Sequence, residues 1–238
     1  MKYEIIGGSF PAVNVVMEEG ETLLTQSGAM AWCDDGITMS TNTEGGLMKS
    51  LGRMFSGASL MFVRHTAQRN GARITFSASF PGTVKEFKVN SEHEYFAQKS
   101  AFLFCEQGVE IDATVNKNFW AGLLGGEGFI LQKYSGVGSL FAEIDGSLVE
   151  VDLKEGEQIK VETGHVAVFE GTVTYDVESV SGFKNIFFGG QGLFLTTLTG
   201  PGKVYLQTLT AQDMASKLKP YMPGSSVSAS TSSSSSNS

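Results

Sequence analysis

Along most of this chain, apolar and polar residues alternate with a period of two. Gln158-Ile159-Lys160-Val161-Glu162, Lys203-Val204-Tyr205-Leu206-Gln207 and Val149-Glu150-Val151-Asp152-Leu153 show the pattern clearly. Successive side chains of a strand point to opposite faces, so this alternation predicts half-buried β-strands. Turn residues interrupt it at short, regular intervals, at Glu19-Gly20, Asp35-Gly36, Pro81-Gly82, Asp145-Gly146, Lys154-Glu155-Gly156 and Gly200-Pro201-Gly202. Short strands punctuated in this way predict an all-β sandwich or barrel. Helical spacing occurs in two places. Leu47, Met48, Leu51, Met54 and Phe55 share one helical face, with Lys49, Ser50, Gly52 and Arg53 on the other. Ala211 to Tyr221 predicts a short closing helix before Pro223.

The pattern also repeats on a larger scale. Met17-Glu18-Glu19-Gly20-Glu21-Thr22-Leu23 aligns with Val89-Asn90-Ser91-Glu92-His93-Glu94-Tyr95 and with Leu153-Lys154-Glu155-Gly156-Glu157-Gln158-Ile159, at offsets of 72 and then 64 residues. At those offsets the apolar runs Met30-Ala31-Trp32, Phe102-Leu103-Phe104 and Val166-Ala167-Val168 fall into line. A glycine-rich block follows in each copy: Ser56-Gly57-Ala58-Ser59, Gly125-Gly126-Glu127-Gly128 and Gly189-Gly190-Gln191-Gly192. Landmarks recurring in one order indicate one supersecondary unit built three times. The expected copies are about 1–74, 75–140 and 141–210 within a single body of residues 1–222. The serine-rich tract 223–238 is expected to be disordered, because it has too little apolar surface to order itself.

Composition narrows the function classes. The 238 residues include 41% hydrophobic and 18% charged residues, enough for a packed core. A net charge of -8 argues against a general nucleic-acid binder, since phosphate contacts need clustered cations. The four arginines, Arg53, Arg64, Arg69 and Arg73, do share one window near Lys49, Lys85 and Lys88, and offer the one candidate patch. Cys33 and Cys105 occupy equivalent repeat positions, with Phe169 in the third copy, and read as core residues, neither a disulfide nor a metal knuckle. The first residues lack a signal or transit pattern and no apolar run is long enough to span a membrane, so the expected compartment is the cytoplasm.

The chemistry-bearing residues are sparse. His65, His93 and His165 fall at three different repeat positions, and no Gly-x-Ser-x-Gly elbow occurs. His165, after Gly156-Glu157 and Thr163-Gly164, faintly resembles the second motif of cupins, but the His-x-His that a cupin metal site needs is missing. The glycine blocks lack the Lys-Ser/Thr of a phosphate loop and read as structural bends. Carboxylates at Glu18, Glu19, Glu92, Glu94, Glu155 and Glu157 mark equivalent hairpin tips, solvated or gathered in an acidic rim. Before each glycine block lies an apolar strip: Leu51, Met54 and Phe55; Phe119, Trp120 and Leu123; Phe187 and Phe188. Those eight residues are the candidate interface, for a neighbouring subunit or a membrane surface. No catalytic, cofactor-binding or metal-binding residue is assigned.

Phe129-Ile130-Leu131-Gln132-Lys133-Tyr134-Ser135-Gly136, and Gly192 through Leu198-Thr199-Gly200-Pro201-Gly202 to Thr208, resemble the altered inheritance of mitochondria protein 24 family. Met1 to Ser9 and Glu21 to Trp32 extend that resemblance over about residues 1–222. It implies three tandem units similar to trp RNA-binding attenuation protein, each a small β-sandwich or double-stranded β-helix module, in a pseudo-threefold arrangement with few short helices. It also implies a link to mitochondrial inner-membrane organisation, by family analogy alone, and transfers no catalytic residue. The expected function is a non-enzymatic scaffold that self-associates or meets a membrane surface or protein partner. A small-ligand or RNA-binding module is the alternative, and a cupin-like metal enzyme ranks below it. If the strip is an interface, replacing Phe119 and Trp120 with serine lowers the particle mass seen by light scattering. An unchanged mass contradicts that role.

Overall fold

The structure, a computed structural model, describes residues 1–41, 62–114, 130–179 and 194–222. Strand β1 (Lys2–Ile6) leads into a first set of six: β2 (Ala12–Met17), β3 (Thr22–Gln26), β4 (Met30–Cys33), β5 (Ile37–Thr41), β6 (Phe62–Ala67) and β7 (Ala72–Ser77). A second set contains β8 (Gly82–Val89), β9 (Tyr95–Gln98), β10 (Phe102–Glu106), β11 (Val109–Thr114), β12 (Leu131–Gly136) and β13 (Gly138–Asp145). The third contains β14 (Leu148–Leu153), β15 (Gln158–Glu162), β16 (Val166–Glu170), β17 (Thr174–Ser179), β18 (Phe194–Thr199) and β19 (Gly202–Gln207). Helix α1 (Ala211–Leu218) and a 3-10 turn at Lys219–Tyr221 follow where a closing helix is expected. Thr210 caps α1 by accepting from the Asp213 amide, which satisfies one of the donors a helix start leaves open.

The molecule is mostly β, as the alternating pattern predicts. Every pairing among the described residues is antiparallel, and one scheme runs through all three sets. The first and third strands flank the sixth. The second and fourth flank the fifth. A β-bulge recurs at the same place, between Met30 and Trp32, Phe102 and Phe104, and Val166 and Val168. The sets run over 12–77, 82–145 and 148–207, so the boundaries expected near 74 and 140 fall inside β7 and β13.

Small polar devices recur with the strands. At the end of the third strand, or one residue past it, an acid accepts from the amide of the sixth strand's second residue: Asp34 from Arg73 at 3.2 Å, Glu106 from Ser139 at 2.7 Å, and Glu170 from Lys203 at 2.9 Å. A carboxylate fastens the turn after the first strand, Glu21 on the Glu18 amide and Glu157 on that of Lys154. In the second set the roles reverse, and Asn90 holds the amides of Glu92 and His93. These bonds satisfy backbone groups that the ladders leave unpaired. Several of the acidic tips therefore serve the turns that carry them.

The sets are joined by sheet pairing and shared cores. β10 pairs with β3, and β16 pairs with β9. Phe104 of the second set lies in the core around Val13, Ile74 and Phe76 of the first, its ring stacked 4.5 Å from Phe76 and 4.3 Å from Phe141. Val168 of the third set enters the second core with Phe87 and Tyr134 in the same way. The third core, around Leu153, Phe169, Leu198 and Val204, receives Phe96 and Leu131 from the second set. Trp32 is the repeat counterpart of Phe104 and Val168, yet it is 58% exposed where they are fully buried. Phe104→Ala is expected to cost about 3–5 kcal/mol in chemical denaturation, as for a fully buried ring, and Trp32→Ala less than about 1 kcal/mol. Equal costs contradict the assignment of one position to two environments.

Candidate functional site: the open sheet edges

The two joints between sets share one register. In the first, Phe104, Cys105 and Glu106 lie opposite Thr25, Leu24 and Leu23. In the second, Val168, Phe169 and Glu170 lie opposite Ala97, Phe96 and Tyr95, the same positions shifted by the repeat. Side chains reinforce both. The Gln26 amide donates to the Lys99 carbonyl at 3.1 Å, and the Gln98 amide donates to the Thr163 carbonyl at 2.9 Å. Past the paired residues, the Gln107 amide donates to Thr22 O and the Gly171 amide to Glu94 O. Phe96 stacks on Phe169 at 5.3 Å across the second joint.

Continuing the series requires β15 of the third set and a strand equivalent to β10 and β16. The chain's own equivalent is β4. These two strands end different sheets, β4 in the order β1-β2-β7-β4 and β15 in the order β15-β18-β17. Among the described residues, each therefore presents an unpaired row of amides and carbonyls, a ready template for another strand. Their residues depart from the joined copies. Trp32 takes the place of Phe104 and Val168, Lys160 that of Leu24 and Phe96, and Glu162 that of Gln26 and Gln98. Lys160 reaches Glu178 at 2.7 Å on its own sheet. Sequence reading placed Trp32 in an apolar run and β15 among the half-buried strands. The signal available was the charge on Lys160 and Glu162, at positions apolar or neutral in the other copies.

The other candidate residues are now accounted for where the structure describes them. Arg69 lies 3.6 Å from Asp34 and 3.3 Å from Asp35, and Arg73 lies 3.2 Å from Asp34. Asp34 is held below the usual carboxylate range chiefly by its hydrogen bond from Arg73. Two cations of the arginine window are thus matched by acids. Arg53 lies outside the described residues. His165 Nδ1 donates to the Gln207 carbonyl at 2.7 Å, while its Nε2 sits 3.8 Å from Asp213 and 3.9 Å from Glu162. Among the described residues no group of three His, Cys, Asp or Glu side chains could hold a metal. His65 is buried against Phe76 with Nε2 3.1 Å from Thr25 Oγ1, and burial depresses its pKa. Cys33 and Cys105 are free, and burial raises the Cys105 thiol far above its ordinary range. The eight strip residues, Leu51, Met54, Phe55, Phe119, Trp120, Leu123, Phe187 and Phe188, lie outside the described residues, as do the glycine blocks, the expected helix at Leu47–Phe55 and the serine tract.

Known proteins place the chain in a family. The family model described as Mitochondrial biogenesis AIM24 matches residues 3–209. The chain belongs to the AIM24 family. An uncharacterised protein of Streptococcus pyogenes serotype M6 is 26% identical over 224 residues, spanning 91% of this chain and 89% of its own length. The crystal structure of a Streptococcus pyogenes protein, 25% identical, superposes with a TM-score of 0.76 over 93% of this chain and 99% of that one. Membership in the AIM24 family is what the sequence resemblance implies. No helix of the described residues is long and apolar enough to cross a membrane.

One polar group lies deep in the fold and escaped sequence reading. Glu143 of β13 is buried and accepts from the Ser79 amide and hydroxyl, which ties the β7–β8 connection to β13. Burial pushes its pKa up to about 7 and that of Asp145, two residues on and on the same strand face, up to about 6. An acid in the run Leu140-Phe141-Ala142-Glu143-Ile144 was the available clue. A raised carboxyl pKa means the folded state holds its protons longer than the unfolded chain. The contribution of these two groups to stability is therefore fullest below about pH 4 and is lost as pH rises through about 6 towards 7. Glu143→Gln is expected to flatten the decline in melting temperature between pH 4.5 and 7. A profile as steep as the parent's contradicts it.

Proposed function

We propose that this AIM24-family chain is a non-enzymatic β scaffold that works by assembly, with its three sets of strands serving as tandem modules. The observation that carries this reading is the joint. One set completes the core of the set before it by supplying an aromatic or aliphatic side chain from its third strand, Phe104 in one case and Val168 in the other. A fold whose units complete one another at sheet edges suits docking more than turnover. Its outermost edges carry exposed apolar side chains, Trp32 on β4 and Tyr3 and Ile5 on β1. Such exposure fits a contact surface.

The family description supports a place in mitochondrial biogenesis, and the resemblance extends this to membrane organisation. The working compartment proposed for this chain is the cytoplasm, with a protein partner or a membrane surface as the site of assembly. A nucleic-acid role is disfavoured by the pairing of Arg69 and Arg73 with Asp34 and Asp35. Native mass spectrometry of the full chain tests the reading. Species at multiples of 25.5 kDa are expected, growing with concentration. A 25.5 kDa chain alone at every accessible concentration contradicts it.

A further inference from the structure

The scaffold reading leaves open which surface does the docking and what docks there. We infer that the partner is a second copy of this chain, whose β4 adds to β15 and forms a third joint in the register of the first two. This inference rests on the assembly reading and gives it a geometry.

The argument starts from the pairing scheme. Strands equivalent to β15, namely β3 and β9, each have a neighbour on both sides, as do β10 and β16. Among the described residues the scheme stops only at the two ends of the series, and the two open positions are complementary halves of one joint. Carrying the register forward by the repeat sets Trp32 opposite Val161, Cys33 opposite Lys160 and Asp34 opposite Ile159. Trp32 then takes the place that Phe104 holds in the first core and Val168 in the second. The third core is the one that, among the described residues, lacks such a side chain from a following set. It holds Val161 at its edge, with Ile159 packed against it. A large exposed aromatic at one end meets an incomplete apolar core at the other.

The charged substitutions set the strength of this contact. Glu162 cannot donate to a carbonyl as Gln26 and Gln98 do, and Lys160 brings a cation where the other joints have Leu24 and Phe96. Lysine on an edge strand is a common brake on strand addition. The third joint is thus weaker than the other two and reversible. Its ends are different surfaces, so association is head-to-tail, giving a ring if the rotation closes and an open chain if it does not.

The register offers a direct test, because residues facing each other across two strands have Cβ atoms roughly 4.5–5.5 Å apart, near disulfide reach. Lys160→Cys in the full chain places a thiol opposite the half-buried Cys33 of the next copy, while Cys105 is sequestered in the core. Mild oxidation is expected to give a ladder of covalent multimers on a non-reducing gel. The ladder should vanish in Lys160→Cys combined with Cys33→Ser, and in Lys160→Cys combined with Trp32→Ser. The tryptophan emission that Trp32 adds, taken as the difference between the parent chain and Trp32→Phe, should shift to shorter wavelength as concentration rises.

Four results overturn the inference. One is a disulfide between Cys33 and the introduced thiol within a chain of monomer mass, which means that the ends close on themselves. Another is a ladder that persists without Cys33. The third is assembly by native mass spectrometry with no ladder and no change at Trp32, which leaves the scaffold reading standing and moves the contact elsewhere. A monomer throughout removes both readings.

Discussion

Everything in this molecule hangs on the antiparallel joint between one set of strands and the next. A single set has two half-sheets, and neither can bury both faces by itself. The joint solves this by continuing one half-sheet into the following set, β3 into β10 and β9 into β16, so that hydrogen-bonded ladders cross the boundary. The third strand of the incoming set then delivers a side chain to the core behind it. Burial of apolar area at about 25 cal/mol per Å² makes a ring such as Phe104 one of the larger single contributions to such a core. Backbone pairing and core packing are thus coupled, and neither can be lost without the other.

That coupling explains why the recurring polar features sit where they do. Bulges at Met30–Trp32, Phe102–Phe104 and Val166–Val168 interrupt the ladder at the point where the third strand must turn its side chains inward. Where the third strand's pairing to the sixth runs out, Asp34, Glu106 and Glu170 take the next amides, those of Arg73, Ser139 and Lys203. In the first set this acid also gathers Arg69 and Arg73, so most of the described arginine window is spent on holding β4 to β7. Residues that look like chemistry when read one at a time turn out to be the fittings of a repeated strand scheme.

Much of this scheme was legible in the sequence. Period-two alternation placed β15 at Gln158–Glu162, and the 72- and 64-residue offsets that aligned Met17, Val89 and Leu153 are those that align the pairings. Repetition survives in a sequence because equivalent strands face equivalent neighbours. What the sequence could not show was where that equivalence ends. Met30-Ala31-Trp32 looks as apolar as Phe102-Leu103-Phe104, and only the sheet order reveals that one is an edge and the other a centre. Glu143 was missed for a related reason: alternation marks which face a residue shares, and burial of an acid depends on a distant partner, here Ser79. The strip of Leu51, Trp120 and Phe187 lies outside the described residues.

If the joint is the organising contact and its two halves stand open at the ends, backbone protection should report it strand by strand. Amide hydrogen exchange of the full chain, followed by mass spectrometry across a concentration series, measures this most directly. Slow exchange is predicted in β10 and β16 at every concentration, with β4 and β15 fast when dilute and increasingly protected as concentration rises. Protection of β4 and β15 equal to that of β10 and β16 at the lowest concentration, or fast exchange in β4 and β15 at all concentrations, contradicts the account.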